Sequence, residues 1–354
     1  MHYKRNLSEL QDVQKNGYKV FSCFSCWWGS TMWYKYNWFD VIGTCEIDPQ
    51  MDKVYRHNFW NTHNFLMWVQ DFKNIPDNEI PQELFDIDIL DGSPPCSTFS
   101  MAGIREKARW KEKKFREGQA EQILSDLFFD FLDVAKKLNP KIIVAENVWW
   151  MLKGNAKWYV KMVLQRFDEI WYKVQLFLLN GATMWLPQRR ERVFFIAHRK
   201  EFDLPKLSLT FQDKPITFWE VKSPEGKITA WKYHEMVKKA KNGERNIEAI
   251  NMRINNKSWW FNSVIVWDKD ICPTIAASWI LFRWCDATTF SDYDLSVCWS
   301  YPLDYKVIKG ISKRYIIWMS VPPLMMHRIS KQIQIQRLDK IETKKSVSKK
   351  SYNQ

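Results

Sequence analysis

Short apolar runs alternate with amphipathic stretches through residues 18–197. Residues 18–24 read as a first strand, 39–45 as a second, and 87–90 as a buried one further on. Residues 69–71 read as the end of another strand. Within 121–138, Ile123, Leu124, Leu127, Phe128, Phe131, Leu132, Ala135 and Leu138 share one helical face, and Asn139-Pro140 ends that helix. Strands at 141–145, 172–179 and 192–197 and helices at 30–36, 52–58 and 159–167 continue the alternation. The pattern predicts an α/β fold with a mostly parallel sheet. From about residue 205 Lys, Asn and Ser rise and the alternation becomes irregular until about residue 290, which predicts a smaller inserted domain. Regular structure resumes with Ser320-Val321-Pro322-Pro323 and an amphipathic helix over 324–335.

The strand at 87–90 runs into Asp91-Gly92-Ser93-Pro94-Pro95-Cys96-Ser97-Thr98-Phe99-Ser100. The glycine and two prolines stop the strand, stiffen the loop and leave a cysteine at its tip. Carboxyl tips of strands are where α/β sheets place their chemistry. A thiol there is a candidate nucleophile when a proton acceptor and positive charge lie nearby. Alone, it reads as a buried structural cysteine, and only partner motifs overturn that.

Composition narrows the class. The chain has 354 residues, 46% of them hydrophobic, which is enough for a sizeable core and two domains. No stretch approaches the ~18 apolar residues of a membrane span. Met1-His2-Tyr3-Lys4-Arg5 carries no apolar secretion segment, and the seven cysteines form no disulfide-like framework, so a reducing cytoplasm is the expected setting. The net charge of +13 favours a polyanionic partner, nucleic acid first. Part of it lies in a Lys-rich tail after residue 340, expected to be disordered, and much of the rest in 105–116, just past Cys96. Cys23-x-x-Cys26 has no second Cys/His pair at a useful spacing, so no metal site is expected.

Several motifs then occur in one order: Phe24-Ser25-Cys26-Trp27-Trp28-Gly29, Glu46-Ile47-Asp48, Pro94-Pro95-Cys96, Glu146-Asn147-Val148, Gln188-Arg189-Arg190-Glu191-Arg192 and Ser320-Val321-Pro322-Pro323. In this order and spacing, from about residue 18 to 335, the chain resembles the cytosine-C5 DNA methyltransferases of bacteria and phages. The resemblance implies a Rossmann-like catalytic domain over 1–205, a target-recognition region over 206–295, a returning segment over 296–340 and a basic disordered tail over 341–354. It implies S-adenosylmethionine as methyl donor, double-stranded DNA as substrate, a possible cognate restriction endonuclease and a monomer.

Cytosine C5 is a poor nucleophile, and thiolate addition at C6 makes it enamine-like. Cys96 is the expected thiolate, with Glu146 at N3 of the base. The resemblance gives Arg190 the base carbonyl or the carboxylate and Arg192 a bracing role, both on one face of a strand. Asn147 is expected to orient loops. Without Cys96, Glu146 and the two arginines would read as solvated strand residues. On the cofactor side the expected contacts are Phe24, Ser25, Gly29, Ile47 and Pro94. Glu46 is expected on the ribose diol, with Asp48 as helper or helix cap, and Asp71 on the adenine amino group. The base must be flipped out of the duplex. Ser97, Ser100, Arg105 and Gln188 are the expected nucleic-acid contacts, Arg105 within a basic segment that resembles a mobile DNA-closing loop. Two alternatives stay open: a tRNA cytosine methyltransferase of the same fold, and an inactive member that only binds nucleic acid.

One departure is systematic. The chain holds 21 tryptophans and 11 glycines, where an average usage of ~7% gives about 25 glycines. Trp28, Trp33, Trp38, Trp185 and Trp318 stand where the resemblance expects glycine, and Trp150, Trp171, Trp279 and Trp299 look similar. Random drift does not favour one exchange so strongly. UGA codons meaning glycine in the source, read here as tryptophan, are the expected explanation, and the codons at these positions test it. If the tryptophans are real, weak or absent cofactor binding is expected.

Overall fold

The computed structural model describes residues 6–10, 13–26, 31–59, 61–95, 127–154, 156–258, 262–276 and 278–352. The chain divides into two compact units. The larger comprises Asp12–Leu179, Glu191–Thr210 and Met326–Gln354, and the smaller Met1–Gln11, Asn180–Arg190 and Phe211–Met325.

The larger unit is built on β1 (Lys19–Cys23), α1 (Thr31–Tyr36), β2 (Asp40–Glu46), α2 (Pro49–Asn58), β3 (His63–Leu66), α3 (Val69–Asn74), β4 (Ile89–Gly92), α4 (Leu127–Leu138), β5 (Ile142–Val148), α5 (Ala156–Glu169), β6 (Tyr172–Asn180) and β7 (Glu191–Arg199). The sheet order is β3-β2-β1-β4-β5-β7-β6. The first five strands are parallel, and β7 runs antiparallel to β5. The central strands are covered on both faces, so they read as unbroken apolar runs: Val20, Phe21 and Cys23 in β1 and Ile89 and Leu90 in β4 are all fully buried. The α4 face expected from the spacing packs into this core through Phe128, Phe131, Leu132 and Ala135. Gly92 makes room for it, since a Cβ there would meet the Phe131 ring at 2.6 Å. Asp48 starts α2: its carboxylate accepts from the Gln50 and Met51 amides at 2.8 and 3.2 Å, and Pro49 opens the helix.

The α/β fold with its mostly parallel sheet is as expected from the alternation. Residues 69–71 correct the reading. They begin α3, and the strand before them is β3, a half-exposed edge strand of His, Asn, Phe and Leu. An edge strand lacks the continuous apolar run that betrays a buried one.

The smaller unit carries α6 (Phe218–Val221), α7 (Trp231–Lys238), α8 (Ile247–Asn255), the parallel pair β8 (Ser263–Val266) and β9 (Ile280–Arg283), α9 (Asp292–Cys298) and α10 (Lys313–Met319). Its core joins Met236, Val237, Ile247, Ile250, Ile265 and Phe282. Arg283 is buried there and held by Asp294 and Asp286, at 3.2 and 2.8 Å. This unit extends to Met325, past the expected boundary at 295, because α9 packs on α6 and α10.

Two helices follow, α11 (Pro323–Ile333) and α12 (Asp339–Tyr352). α12 corrects the expectation of a disordered tail. The Thr343 hydroxyl bonds back to the Asp339 carbonyl at 2.7 Å, and the Lys344 ammonium reaches the Phe202 and Asp203 carbonyls at 3.1 and 3.0 Å. Among the described residues no helix is long and apolar enough to cross a membrane.

Candidate active site

Parallel pairing brings the carboxyl ends of β1, β2, β4 and β5 to one edge of the sheet of the larger unit. Register then sets which side chains share a face. Ser22 pairs with Asp91, and Asp91 with Val144. Glu146 lies two residues beyond Val144 and so faces the same way. Arg192 pairs with Val148 across the antiparallel β5–β7 ladder and joins that face. Four residues far apart in sequence thus form one polar row across the sheet.

At the end of the row the Arg192 Nε lies 2.8 Å from Glu146 Oε1, with the two side chains only 13% and 12% exposed. Arg192 also donates to the Glu191 carbonyl at 2.7 Å. Asn147 points the other way: its Nδ2 donates to the Pro94 carbonyl at 3.1 Å, and its Oδ1 accepts from the Val148 amide at 2.9 Å. Buried Asn147 therefore ties β5 to the Pro94-Pro95 loop that leads into Cys96. Pro94 is itself buried. Cys96, Ser97, Ser100, Arg105 and Gly29 lie outside the described residues.

Two expectations change. Only Arg192 lies in β7; Arg190 precedes it and belongs to the smaller unit. There the Arg190 Nη2 donates to the Ser320 carbonyl at 2.7 Å, and the guanidinium stacks 4.3 Å from the Trp299 ring. Of the two contacts the sequence reading left open for Arg190, the base carbonyl or the carboxylate, the one with the carboxylate is made by Arg192. Gln188, expected against nucleic acid, is wholly buried in the smaller unit, and among the described residues its amide has no hydrogen-bond partner. The turn folds it inward: Leu186 and Gln188 close over Gly181, where a Cβ would meet Leu186 at 2.5 Å.

At the tip of β2, buried Glu46 accepts three backbone bonds. Its Oε1 takes the Ile47 and Asp48 amides, both at 2.9 Å, and its Oε2 takes the Cys26 amide at 2.6 Å. Burial pushes its carboxyl up to about 6, against these three donors. A carboxylate offers about four acceptor sites. Among the described residues three donors reach Glu46, which leaves one acceptor site of the kind a ribose hydroxyl takes. Ser25 is buried, Ile47 half-buried, and Phe24 half-buried with its ring 6.4 Å from Phe131. Phe24 and Cys26 have φ of 54° and 52°, so the chain turns sharply here. Asp71 is exposed in the first turn of α3, not at a strand end.

Asp91 is a residue that sequence reasoning passed over as part of the cysteine loop. It is 4% exposed, and its carboxyl accepts from the Tyr34 and Ser22 hydroxyls at 3.2 and 3.3 Å. Burial pushes it up to about 8. The two hydroxyls oppose that shift and the charge of Glu146 adds to it. A charged residue inside an apolar strand was the available signal.

This sheet order, with a buried carboxylate at the second strand tip and a Glu–Arg pair where β5 meets β7, fits the methyltransferase class of α/β proteins. A family model for the C-5 cytosine-specific DNA methylases matches residues 18–335, and the chain belongs to that family. It is 30% identical over 203 residues to the type II methyltransferase M.NgoPII of Neisseria gonorrhoeae, covering 56% of this chain and 54% of that protein. It is 32% identical over 168 residues to the orphan methyltransferase M.Rho11sI of Bacillus phage rho11s, covering 46% and 29%. The aligned region spans about half the length of M.NgoPII and less of the phage protein. Among solved structures the fold resembles a prophage-encoded protein of E. coli described as a DNA modification methyltransferase, with a TM-score of 0.65 at 16% identity over 90% of this chain and 99% of that one. It also resembles Spodoptera frugiperda DNMT2, with a TM-score of 0.60 at 14% identity over 90% and 99%.

Proposed function

We propose that the chain methylates C5 of a cytosine flipped out of double-stranded DNA, through a covalent bond between Cys96 and C6 of the base. The observation that carries this reading is the Arg192–Glu146 pair at 2.8 Å, beside a loop that Asn147 fastens to the same strand. The Cys96 thiolate adds to C6, and the electron pair of the C5–C6 bond moves onto the ring. N3 gains basicity and takes a proton shared with Glu146. Arg192 holds the carboxylate left behind, so charge develops against a fixed cation. C5, now enamine-like, is the nucleophile. Once C5 carries the methyl group, a water takes the C5 proton, the C5–H electron pair re-forms the C5–C6 double bond as the C6–S bond breaks and the Cys96 thiolate leaves, and the N3 proton returns to Glu146.

S-adenosylmethionine supplies the methyl group when bound. The remaining acceptor of Glu46 fits its ribose, and Phe24, Ser25, Ile47 and Pro94 are the neighbouring contacts. Asp71 is a candidate for its adenine amino group. Ser97, Ser100 and Arg105 are the candidates for phosphate contacts. The setting we propose is restriction–modification or genome protection, in keeping with the named relatives.

The test is transfer of labelled methyl groups to duplex DNA and, separately, to tRNA, with Cys96→Ala as control. Labelled DNA, unlabelled tRNA and a dead control are expected. Labelled tRNA alone selects the tRNA reading, and transfer by the Cys96→Ala chain contradicts the mechanism.

A further inference from the structure

Three helical segments in this chain end in the same way. At the end of α1 the Phe39 amide donates to the Tyr34 carbonyl at 3.0 Å and the Trp38 amide to the Lys35 carbonyl at 2.9 Å. At the end of α5 the Trp171 amide donates to the Asp168 carbonyl at 3.0 Å. After the single turn Gly181–Thr183 the Leu186 amide donates to the Gly181 carbonyl at 3.2 Å, spanning Trp185. In each case the residue that reverses the chain is a tryptophan with a left-handed backbone, φ being 63° at Trp38, 69° at Trp171 and 61° at Trp185.

This is the position just past a helix where glycine is used, because a Cβ in that conformation crowds the neighbouring carbonyl. Past three other helices a small polar side chain takes this conformation: Asn139, Asn256 and Ser300 have φ of 48°, 51° and 57° past α4, α8 and α9. Two of the indoles lie largely in water, Trp38 48% exposed and Trp171 63% with the Lys200 ammonium 4.7 Å from its ring, while Trp185 is half-buried. A bulky ring held in strained backbone and left in water is a poor use of the largest side chain. The chain also holds 21 tryptophans against 11 glycines, the imbalance that an exchange of one for the other leaves.

We infer that glycine stands at positions 38, 171 and 185 in the protein as its source cell makes it. Those codons are UGA, which that cell reads as glycine, and tryptophan arises when they are read by another table. This follows from how helices end and does not depend on the reaction proposed above.

The gene and the native protein test it directly. UGA at codons 38, 171 and 185, with glycine in the corresponding peptides by mass spectrometry of protein from the source cell, is the expected result. UGG codons, or tryptophan in those peptides, overturn it. A chain carrying Trp38→Gly, Trp171→Gly and Trp185→Gly should also melt several degrees above the chain as written. An equal or lower Tm overturns the backbone argument.

Discussion

Arg192 and Glu146 meet at 2.8 Å although 46 positions separate them, because β7 runs antiparallel to β5 and delivers its first residues to the end of that strand. Both side chains are nearly dry, so the pair holds one geometry and the carboxylate keeps a cation beside it. In the proposed mechanism Glu146 shares the proton that N3 receives. Glu146→Gln should keep the fold and lower kcat on the order of 10²–10⁴-fold with little change in KM for DNA. Steady-state kinetics with thermal melts on the same samples check it.

Arg192→Met should act differently. It leaves a half-buried carboxylate without its cation, and losing the charged partner of such a hydrogen bond costs about 1–3 kcal/mol. Chemical denaturation should show that loss, together with a fall in activity. An unchanged midpoint would mean that the pair is solvated and weak.

Asn147 spans the gap between β5 and the cysteine loop with one bond to the Pro94 carbonyl. Asn147→Ala removes that bond and the acceptor of the Val148 amide, for about 1–3 kcal/mol together, and loosens the loop that leads into Cys96. Activity should fall by more than stability does. Comparing the two losses separates positioning from general weakening.

Asp91 makes stability depend on pH. Its carboxyl is pushed up to about 8 in the fold by burial, whereas an unfolded chain holds it near an ordinary value of about 3.9. The folded state therefore binds the proton more tightly. Its stabilising contribution is complete below the ordinary value and is lost as pH rises through about 8. Denaturant unfolding between about pH 5 and 9 should show stability falling with pH, and Asp91→Asn should flatten that slope. The same slope in both chains would contradict the assignment.

Much of the larger unit was legible because buried parallel strands announce themselves as apolar runs between turn residues, as at β1, β4 and β5. The edge strand β3 was not, since none of its four residues is buried and its polar composition hides the period. Glu46 and Glu146 were legible as carboxylates at strand ends. The partner of Glu146 was not, because antiparallel pairing of β7 is a tertiary fact that spacing does not encode. Gln188 looked like a surface contact, yet the turn over Gly181 buries it. The tryptophans were legible as a compositional oddity, and only backbone angles separate Trp38, Trp171 and Trp185, which strain the chain, from buried Trp33 and Trp299.

The central claim is that Cys96 attacks C6 of the target base. The most direct measurement uses duplex DNA in which the target cytosine carries fluorine at C5, the methyl donor, and the chain with glycine restored at 28, 33, 38, 171, 185 and 318. Fluorine cannot leave as a cation in place of the C5 proton, so the thiolate cannot be expelled. The account expects a stable protein–DNA adduct whose linked peptide contains Cys96, and none with Cys96→Ala. Methylation of ordinary DNA by the same protein with no adduct on the fluorinated duplex, or an adduct at another residue, would contradict it.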